Sequence, residues 1–200
     1  MSKHSYRTVF ALPLERVRLL DEAAHPRAAD GEWTDGGASP ISSEERNAVH
    51  IYTEGGAFNK LLRAGGFERV KDDGFAQEVV ALDRAIASSA STVDHTLYRA
   101  APLRVFGPMK PGTVFVDKAF VSTSMSKSAA VALLGSENMP PLYHDILVQI
   151  EAPKGTPGFD VNKRLKEDSI YPEQKELILG RNTKFKVLSN NGKTIRVKVL

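Results

Sequence analysis

Residues 171–179 read YPEQKELIL, a polar segment that leads into Glu176–Leu179. The last four residues have the length and apolar content of a short strand, with an acidic residue at its start. Similar runs occur throughout the second half of the chain, where turn signals such as Asn191-Gly192 separate them. They predict about seven strands, at 96–99, 113–116, 120–124, 146–150, 176–179, 185–188 and 194–200, and a single helix at 127–134.

The first half of the chain carries helical patterns instead. Ser42 and Glu45 form a capping box, which predicts a helix that begins there and ends at Gly55-Gly56. Apolar residues then recur at helical spacing in two segments, 58–63 and 75–86, which the pair Gly65-Gly66 separates. Helices followed by strands predict an α+β fold, in which N-terminal helices pack against a two-sheet, antiparallel or mixed β core.

The N-terminal part of the chain differs in composition from the rest. Residues 22–40 read EAAHPRAADGEWTDGGASP and combine three glycines and two prolines with four acidic residues. This composition, without apolar periodicity, is typical of an arm or a linker. We therefore predict an N-terminal arm or linker at 1–40 and one folded domain at 41–200.

The overall composition is that of a globular protein, and it excludes several kinds of site. Hydrophobic residues make up 42% and charged residues 26% of the 200 positions, and the net charge of +3 is too small to indicate nucleic acid by itself. Because cysteine is absent, disulfides, Cys-ligated zinc and a thiol nucleophile are excluded. The five histidines form no HExxH pattern, and neither GxSxG nor GxGxxG occurs. No metal site is predicted.

The N-terminus offers no recognisable export signal. Its apolar stretch, residues 9–14, is interrupted by Pro13 and followed by charged residues. No other run approaches the roughly 18 apolar residues that a membrane-spanning helix needs. The sequence therefore predicts a soluble protein with no signal peptide and no membrane partner.

Three polar segments interrupt the predicted strands: Tyr98-Arg99, residues 122–124, and the pair Gln174 and Glu176. Each of them alone is typical of an ordinary strand with an edge ion pair, hydroxyl pairing or a solvated acid. Side chains two residues apart on a strand share one face of the sheet. We therefore expect Gln174 and Glu176 to point together toward the face that Ser122 and Arg99 also occupy.

The order of these segments carries a resemblance to a known family. An aromatic-Arg strand is followed by the Ser-Thr-Ser run at 122–124 and then by Gln-x-Glu at 174–176. Further matches are EAPKG at 151–155, TKFKV at 183–187 and the helical motif Asn59-x-x-Leu62-Arg63. In these residues the chain resembles the Arg-Ser-Glu class of mono-ADP-ribosyltransferases, which includes C3-like, binary-toxin-like and phage-encoded exoenzymes. The resemblance covers residues 42–200.

The resemblance implies an enzyme of the ADP-ribosyltransferase fold whose domain at 41–200 uses NAD as co-substrate and no metal. Glu176 would stabilise the oxocarbenium-like state that forms as nicotinamide leaves. Arg99 would hold the NAD phosphates, and Ser122 would fix the rotamer of Glu176. The resemblance thus implies Glu176, Gln174, Ser122 and Arg99 as the catalytic residues. It implies Ser122, Asn59 and Ala100, through its backbone, as further residues that bind the cofactor.

The resemblance also implies the side of the site that meets the acceptor, where Gln174 and Tyr171 are the expected residues. A carboxamide at 174 both donates and accepts hydrogen bonds, which suits an asparagine-like side chain or the edge of a guanine. The favoured acceptor is a protein side chain in a bacterial host. Two alternatives remain: a nucleic acid acceptor, which the basic residues Arg196 and Lys198 permit, and an inactive interaction module of the same fold.

The arm at 25–37 resembles the short tail that follows head-morphogenesis domains of tailed phages. This resemblance favours a phage-encoded effector that acts in the host cytoplasm or travels with the virion. The alternative interpretation is that Trp33, the only tryptophan, docks on the catalytic domain.

Overall fold

The computed structural model of the protein describes residues 33–34, 40–134 and 145–200. In chain order its helices and strands are β1 (Trp33–Thr34), α1 (Ser43–Gly55), α2 (Ala57–Asp72), α3 (Ala76–Ala87), β2 (Ala90–Ser91), β3 (His95–Pro102), α4 (Leu103–Phe106), β4 (Val114–Asp117), β5 (Val121–Ser124), α5 (Lys127–Ala132), β6 (Asp145–Ala152), β7 (Gly158–Asp160), α6 (Val161–Leu165), β8 (Glu176–Leu179), β9 (Thr183–Asn190) and β10 (Thr194–Val199).

The N-terminal helices follow their sequence signals closely, with one exception. The predicted capping box of α1 is present, because Ser42 accepts from the Glu45 amide and Glu45 accepts from the Ser42 amide. Gly56 ends α1 in the left-handed conformation. The pair Gly65-Gly66 does not end the second helix as expected: α2 continues to Asp72 through a kink at Gly66, whose φ of 71° is open to glycine. Among the described residues, no helix has both the length and the apolarity to cross a membrane.

The strands form a mixed sheet in the order β4-β9-β10-β6-β3-β5-β8-β7, and β1 pairs separately with β2. Five strands from β4 to β3 and three strands from β5 to β7 make two parts, which the single pair Tyr98 and Ser124 joins. Among the strands of the described residues, only β6 and β10 run parallel. The α+β fold class is confirmed, and the junction between the two parts of the sheet is the place where the polar segments meet.

Three elements of the second half were not predicted. They are β7, with the sequence Gly-Phe-Asp, and the short helices α4 and α6. Glycine and aspartate are depleted in strands, so a three-residue edge strand of this composition leaves no periodic signal. The helix expected at 127–134 ends at Ala132. Apart from β1, the predicted arm at 1–40 lies outside the described residues.

Two hydrophobic clusters meet at β8, whose side chains alternate between them. Ile178 belongs to the cluster that includes Val49, Phe58, Leu82, Phe120 and Phe159 from the helical side. Leu177 and Leu179 belong to the cluster that includes Leu97, Ile150, Phe185 and Val197. Because the period of a strand is two residues, Glu176 shares its side with Ile178 and faces the helices.

Candidate active site

A small cleft lies at the junction between β3 and β5. Its lining residues come from β3, β5, α5 and the segment before β8: Tyr98, Arg99, Ser122, Thr123, Ser124, Ala129, Ala130, Leu133, Gln174 and Glu176. Since two parts of a sheet separate here, side chains of both parts can reach one space. Arg99, Ser122, Gln174 and Glu176, four of the predicted site residues, line this cleft together.

Glu176 is held in the cleft by two hydroxyl groups from different elements. Ser122 on β5 donates to one carboxylate oxygen at 2.5 Å, and Thr53 on α1 donates to the other at 3.1 Å. The residue is only 5% exposed. Both oxygens therefore have fixed partners, which sets the orientation of the carboxylate before any substrate arrives.

The surroundings of Glu176 act on its protonation in opposite directions. Burial raises the pKa of its carboxyl group above the ordinary value, because the charged form loses its hydration. The hydrogen bonds from Ser122 and Thr53 and the positive charge of Arg99 lower the pKa and so offset part of this effect. The net direction of the pKa is upward.

Arg99 lies across the junction on β3, and its hydrogen-bonding groups have fewer partners than those of Glu176. Its Nε atom is buried and has no hydrogen-bond partner among the described residues. Burial lowers the pKa of the guanidinium and the neighbouring Arg63 lowers it further, while Asp117, Tyr52 and Glu176 act against them. A buried donor without a partner is rare in folded proteins, and a guanidinium fork binds phosphate groups well. The arrangement therefore suits an anionic ligand.

Gln174 reaches the cleft by a route that the sequence did not predict. The expectation that Gln174 and Glu176 share one face of a strand is wrong, because residues Pro172–Gln174 form a 3₁₀ turn. Lys175 then adopts the left-handed conformation, with φ 47° and ψ 48°, before the strand begins at Glu176. The reversal at Lys175, rather than strand alternation, brings both side chains to the same cleft.

The two hydroxyls that follow Ser122 hold the backbone of the neighbouring segment. Thr123 donates to the Leu177 carbonyl oxygen at 2.7 Å, which ties β5 to β8. Ser124 donates to the Gln174 carbonyl oxygen at 2.7 Å. Thus the Ser-Thr-Ser run uses its first hydroxyl on the acid and the other two on the strand and turn that present it.

Asn59 does not line the cleft, although it was expected to bind the cofactor. Its Nδ2 donates to the Phe120 carbonyl oxygen at 3.1 Å, and its Oδ1 accepts from the Phe120 amide at 3.0 Å. Arg63 on the same helix forms a bidentate ion pair with Asp117. Asn59 therefore fixes the backbone directly before β5, and its expected role in binding the cofactor stays a prediction.

Ala100 and Tyr171 also lie outside the lining of the cleft. Ala100 is on β3 beside Arg99, and its backbone pairs with Leu147 of β6. Tyr171 is partly exposed in the loop before the 3₁₀ turn. The expected contacts of Ala100 and Tyr171 with bound ligands stay predictions.

Sequence reasoning missed Thr53, which contacts the carboxylate directly. A signal exists in retrospect: Thr53 follows Val49 by four residues and lies on the buried stripe of α1. A hydroxyl on the apolar side of a helix needs a hydrogen-bond partner, and here the partner is Glu176. A separation of 123 positions in the sequence hides the contact from any local pattern.

In chemical terms, the cleft combines a fixed carboxylate with a carboxamide and with a guanidinium whose Nε has no hydrogen-bond partner among the described residues. The carboxylate can stabilise a positive charge that develops on a substrate, and the guanidinium can hold a phosphate. Among the described residues, no group of three or more potential ligands could hold a metal ion.

The chain is similar to known proteins in sequence pattern and in fold. A sequence model of the family described as ADP-ribosyltransferase exoenzyme matches residues 30–198. No curated protein sequence matches the chain significantly.

Several solved structures share the fold. Plx2a, an ADP-ribosyltransferase toxin from Paenibacillus larvae, is 22% identical with a TM-score of 0.62, over 80% of this chain and 87% of that one. C3stau2 from S. aureus, solved with NAD, is 20% identical with a TM-score of 0.64, over 80% and 87%. The C3 exoenzyme of Clostridium limosum is 20% identical with a TM-score of 0.63, over 80% and 86%. At these identities, the likeness is one of fold.

Proposed function

The chain belongs to the ADP-ribosyltransferase exoenzyme family, and from that premise we propose that it transfers ADP-ribose from NAD to a side chain of a protein. Its class of activity, NAD-dependent mono-ADP-ribosyl transfer, follows from the family. The observation that carries the proposal for the site is the buried carboxylate of Glu176, held by two hydroxyls at the junction that Arg99 also lines.

In the proposed reaction, the bond between nicotinamide and C1′ of the ribose breaks, and its electron pair leaves with nicotinamide. The ribose then carries positive charge, which the carboxylate of Glu176 stabilises in the transition state but not in the ground state. The nucleophile of the acceptor forms the new bond to C1′ and loses its proton to solvent. Ser122 and Thr53 keep the carboxylate in place during these steps.

Arg99 would bind the pyrophosphate of NAD. Its buried Nε lacks a partner among the described residues, and a phosphate oxygen would supply one. Ala100 follows it on β3, where its backbone would lie next to the nicotinamide. In this arrangement the two parts of the sheet contact different parts of NAD. The five-stranded part binds the phosphates through Arg99, and the three-stranded part acts on the ribose through Glu176.

Gln174 supports the choice of acceptor. Its side chain lines the cleft two residues before the proposed catalytic acid, and it is 8% exposed. A carboxamide offers both a donor and an acceptor, so it pairs well with an asparagine-like side chain, whereas a guanidinium would favour a carboxylate. Tyr171, in the loop ahead of Gln174, would contact the acceptor protein. We propose a bacterial host protein as the target, reached by a phage-encoded effector.

A second candidate acceptor is a guanine base in nucleic acid. Lys184 and Lys186 on β9 and Lys198 on β10 are exposed, and Lys186 lies directly opposite Lys198. Like charges placed directly opposite each other are unfavourable unless an anion lies nearby. Glu151 of β6 lies opposite Lys198 on its other side and pairs with Arg196, so the exposed Lys184 and Lys186 are the residues that keep the nucleic acid acceptor as an alternative.

The test uses purified protein, biotin-labelled NAD and bacterial lysate. We expect a labelled macromolecule that disappears after the lysate is digested with protease and persists after nuclease. Loss of the label after nuclease alone would favour the guanine acceptor. Mass spectrometry of the product identifies the modified group, and labelled arginine would contradict the argument from Gln174.

A variant with Glu176→Gln provides the control, because it preserves the shape of the side chain. It should label nothing. If the wild type neither releases nicotinamide nor labels any lysate, bacterial or animal, the interaction module without catalysis becomes the better account.

A further inference from the structure

Asn162 belongs to a rigid part of the molecule, although no sequence signal drew attention to it. It is the second residue of α6, which Asp160 caps through a hydrogen bond from the Lys163 amide at 3.0 Å. Val161 and Leu165 of the same helix are buried in the helical-side cluster. The backbone of Asn162 is therefore well anchored, although its side chain is directed toward the loop that precedes β8.

The side chain of Asn162 connects two points of that loop. Its Oδ1 accepts from the Ser169 hydroxyl at 3.0 Å, and its Nδ2 donates to the Pro172 carbonyl oxygen at 2.5 Å. Only Ile170 and Tyr171 lie between the two attachment points. The carboxamide thus connects residues 169 and 172 from one side.

Backbone hydrogen bonds connect Pro172 and its neighbour to the residues in the cleft. The Lys175 amide donates to the same Pro172 carbonyl at 3.3 Å, and the Gln174 amide donates to the Tyr171 carbonyl at 3.0 Å. At the other end of the turn, Ser124 holds the Gln174 carbonyl. Gln174 is therefore fixed from β5 on one side and, through Pro172, from Asn162 on the other.

We propose that Asn162 is a positioning residue that holds Tyr171 and Gln174 in place and thereby determines how much ADP-ribose reaches the macromolecular acceptor instead of water. The proposal rests on the proposed function only in taking this segment as the side that meets the acceptor. Glu176 does not depend on Asn162, because its carboxylate is held by Ser122 and Thr53. Cleavage of NAD and delivery of ADP-ribose should thus respond differently to changes at 162.

The experiment compares Asn162→Ala and Ser169→Ala with the wild type and with Asn47→Ala, an exposed asparagine on α1. Released nicotinamide measures every NAD that is cleaved, and biotin incorporated into lysate protein measures the fraction transferred. Because a misplacement of about 1 Å can cost 100-fold in rate, we expect Asn162→Ala to lower the transferred fraction by about 10-fold while nicotinamide release stays within about 2-fold. Ser169→Ala removes one of the two bonds and should lower the fraction less.

Hydrogen exchange of the backbone amides provides a second measurement that does not require an acceptor. In Asn162→Ala, the amides of Gln174 and Lys175 should exchange faster, whereas those of β8 should keep their protection. Unchanged exchange at 174 and 175, or an equal fall in cleavage and transfer, would overturn the proposal. A wild type that cleaves NAD but labels no protein would count against the proposed acceptor alone, and the exchange measurement would still decide the role of Asn162.

Discussion

The two sides of the cleft differ in how completely their charged residues are satisfied. On the three-stranded side, both carboxylate oxygens of Glu176 accept hydrogen bonds, one from β5 and one from α1. On the five-stranded side, Arg99 keeps a buried Nε without a partner among the described residues. The protein thus supplies hydrogen-bond partners for both oxygens of the acid, whereas the Nε atom of the arginine has no partner among the described residues.

This difference indicates a division of labour between the two sides. A group that acts in the transition state gains from being fixed in advance, because no reorganisation is then needed during the reaction. A group that binds substrate can remain unsatisfied in the free protein and complete its hydrogen bonds on binding. The Glu176 side is therefore expected to govern turnover, and the Arg99 side to govern affinity for NAD.

The largest effect should come from Glu176→Gln. The amide retains the shape but not the charge of the carboxylate, so nicotinamide release should fall by about 10³-fold in kcat. The KM for NAD should change little, because the ground state gains little from this charge. Steady-state kinetics of nicotinamide release check both values, and a KM that rose as much as kcat fell would remove the contrast between the two sides.

The next effect in size concerns Arg99→Met. Loss of charge-assisted hydrogen bonds to phosphate, worth about 1.5–3 kcal/mol, should lower kcat/KM by about 100-fold, mainly through KM. In the absence of NAD, the variant should be more stable than the wild type by about 1 kcal/mol, or about 2–4 °C in Tm, because a buried Nε without a hydrogen-bond partner among the described residues is removed. Thermal unfolding with and without NAD tests both statements. A less stable free variant would show that Arg99 is already satisfied.

A smaller effect is expected for Ser122→Ala. The hydroxyl touches only the acid, so its removal should lower kcat by about 10- to 100-fold and leave the KM for NAD nearly unchanged. Thr123→Ser, a conservative change at the adjacent position, serves as the matched control and should behave like the wild type. If Ser122→Ala raised KM instead, Ser122 would belong to the NAD-binding side of the comparison.

The smallest effect should come from Thr53→Val, and it should depend on pH. The Thr53 hydrogen bond lowers the pKa of Glu176, so its loss should raise that pKa further above the ordinary carboxyl value. Because the proposed role of Glu176 requires its charged form, the acid limb of the pH profile should move to higher pH. Well above that limb, the loss in kcat should be less than about 10-fold. Thr53→Ser retains a hydroxyl and should restore the wild-type profile.

Much of this arrangement could be predicted from the sequence, because its signals are local. The capping box at Ser42, the apolar stripes of the helices and the alternation of the strands gave the α+β class. The resemblance selected Arg99, Ser122, Gln174 and Glu176, which the structure places in one cleft.

The rest depends on contacts between distant segments. Thr53 meets Glu176 across 123 residues, and the Asn59 amide meets the Phe120 backbone across 61. No periodicity encodes such pairs, since each depends on how the helices dock on the sheet. The turn at 172–174 was mistaken for strand because a lysine, unlike a glycine, gives no warning of a left-handed backbone.

The left-handed backbone at Lys175 makes the placement of residue 174 independent of the placement of Glu176, whereas a regular strand would fix both together. A non-glycine residue in this conformation costs about 1 kcal/mol, so the bend at Lys175 is maintained at some expense. Residue 174 therefore belongs to the turn, and Glu176 begins the strand. A substitution at 174 need not move the side chain of Glu176. Substitutions at position 174 should therefore change which acceptor receives ADP-ribose, while the rate at which the bond between nicotinamide and ribose breaks remains constant. Position 174 is thus a suitable starting point for engineering the choice of acceptor.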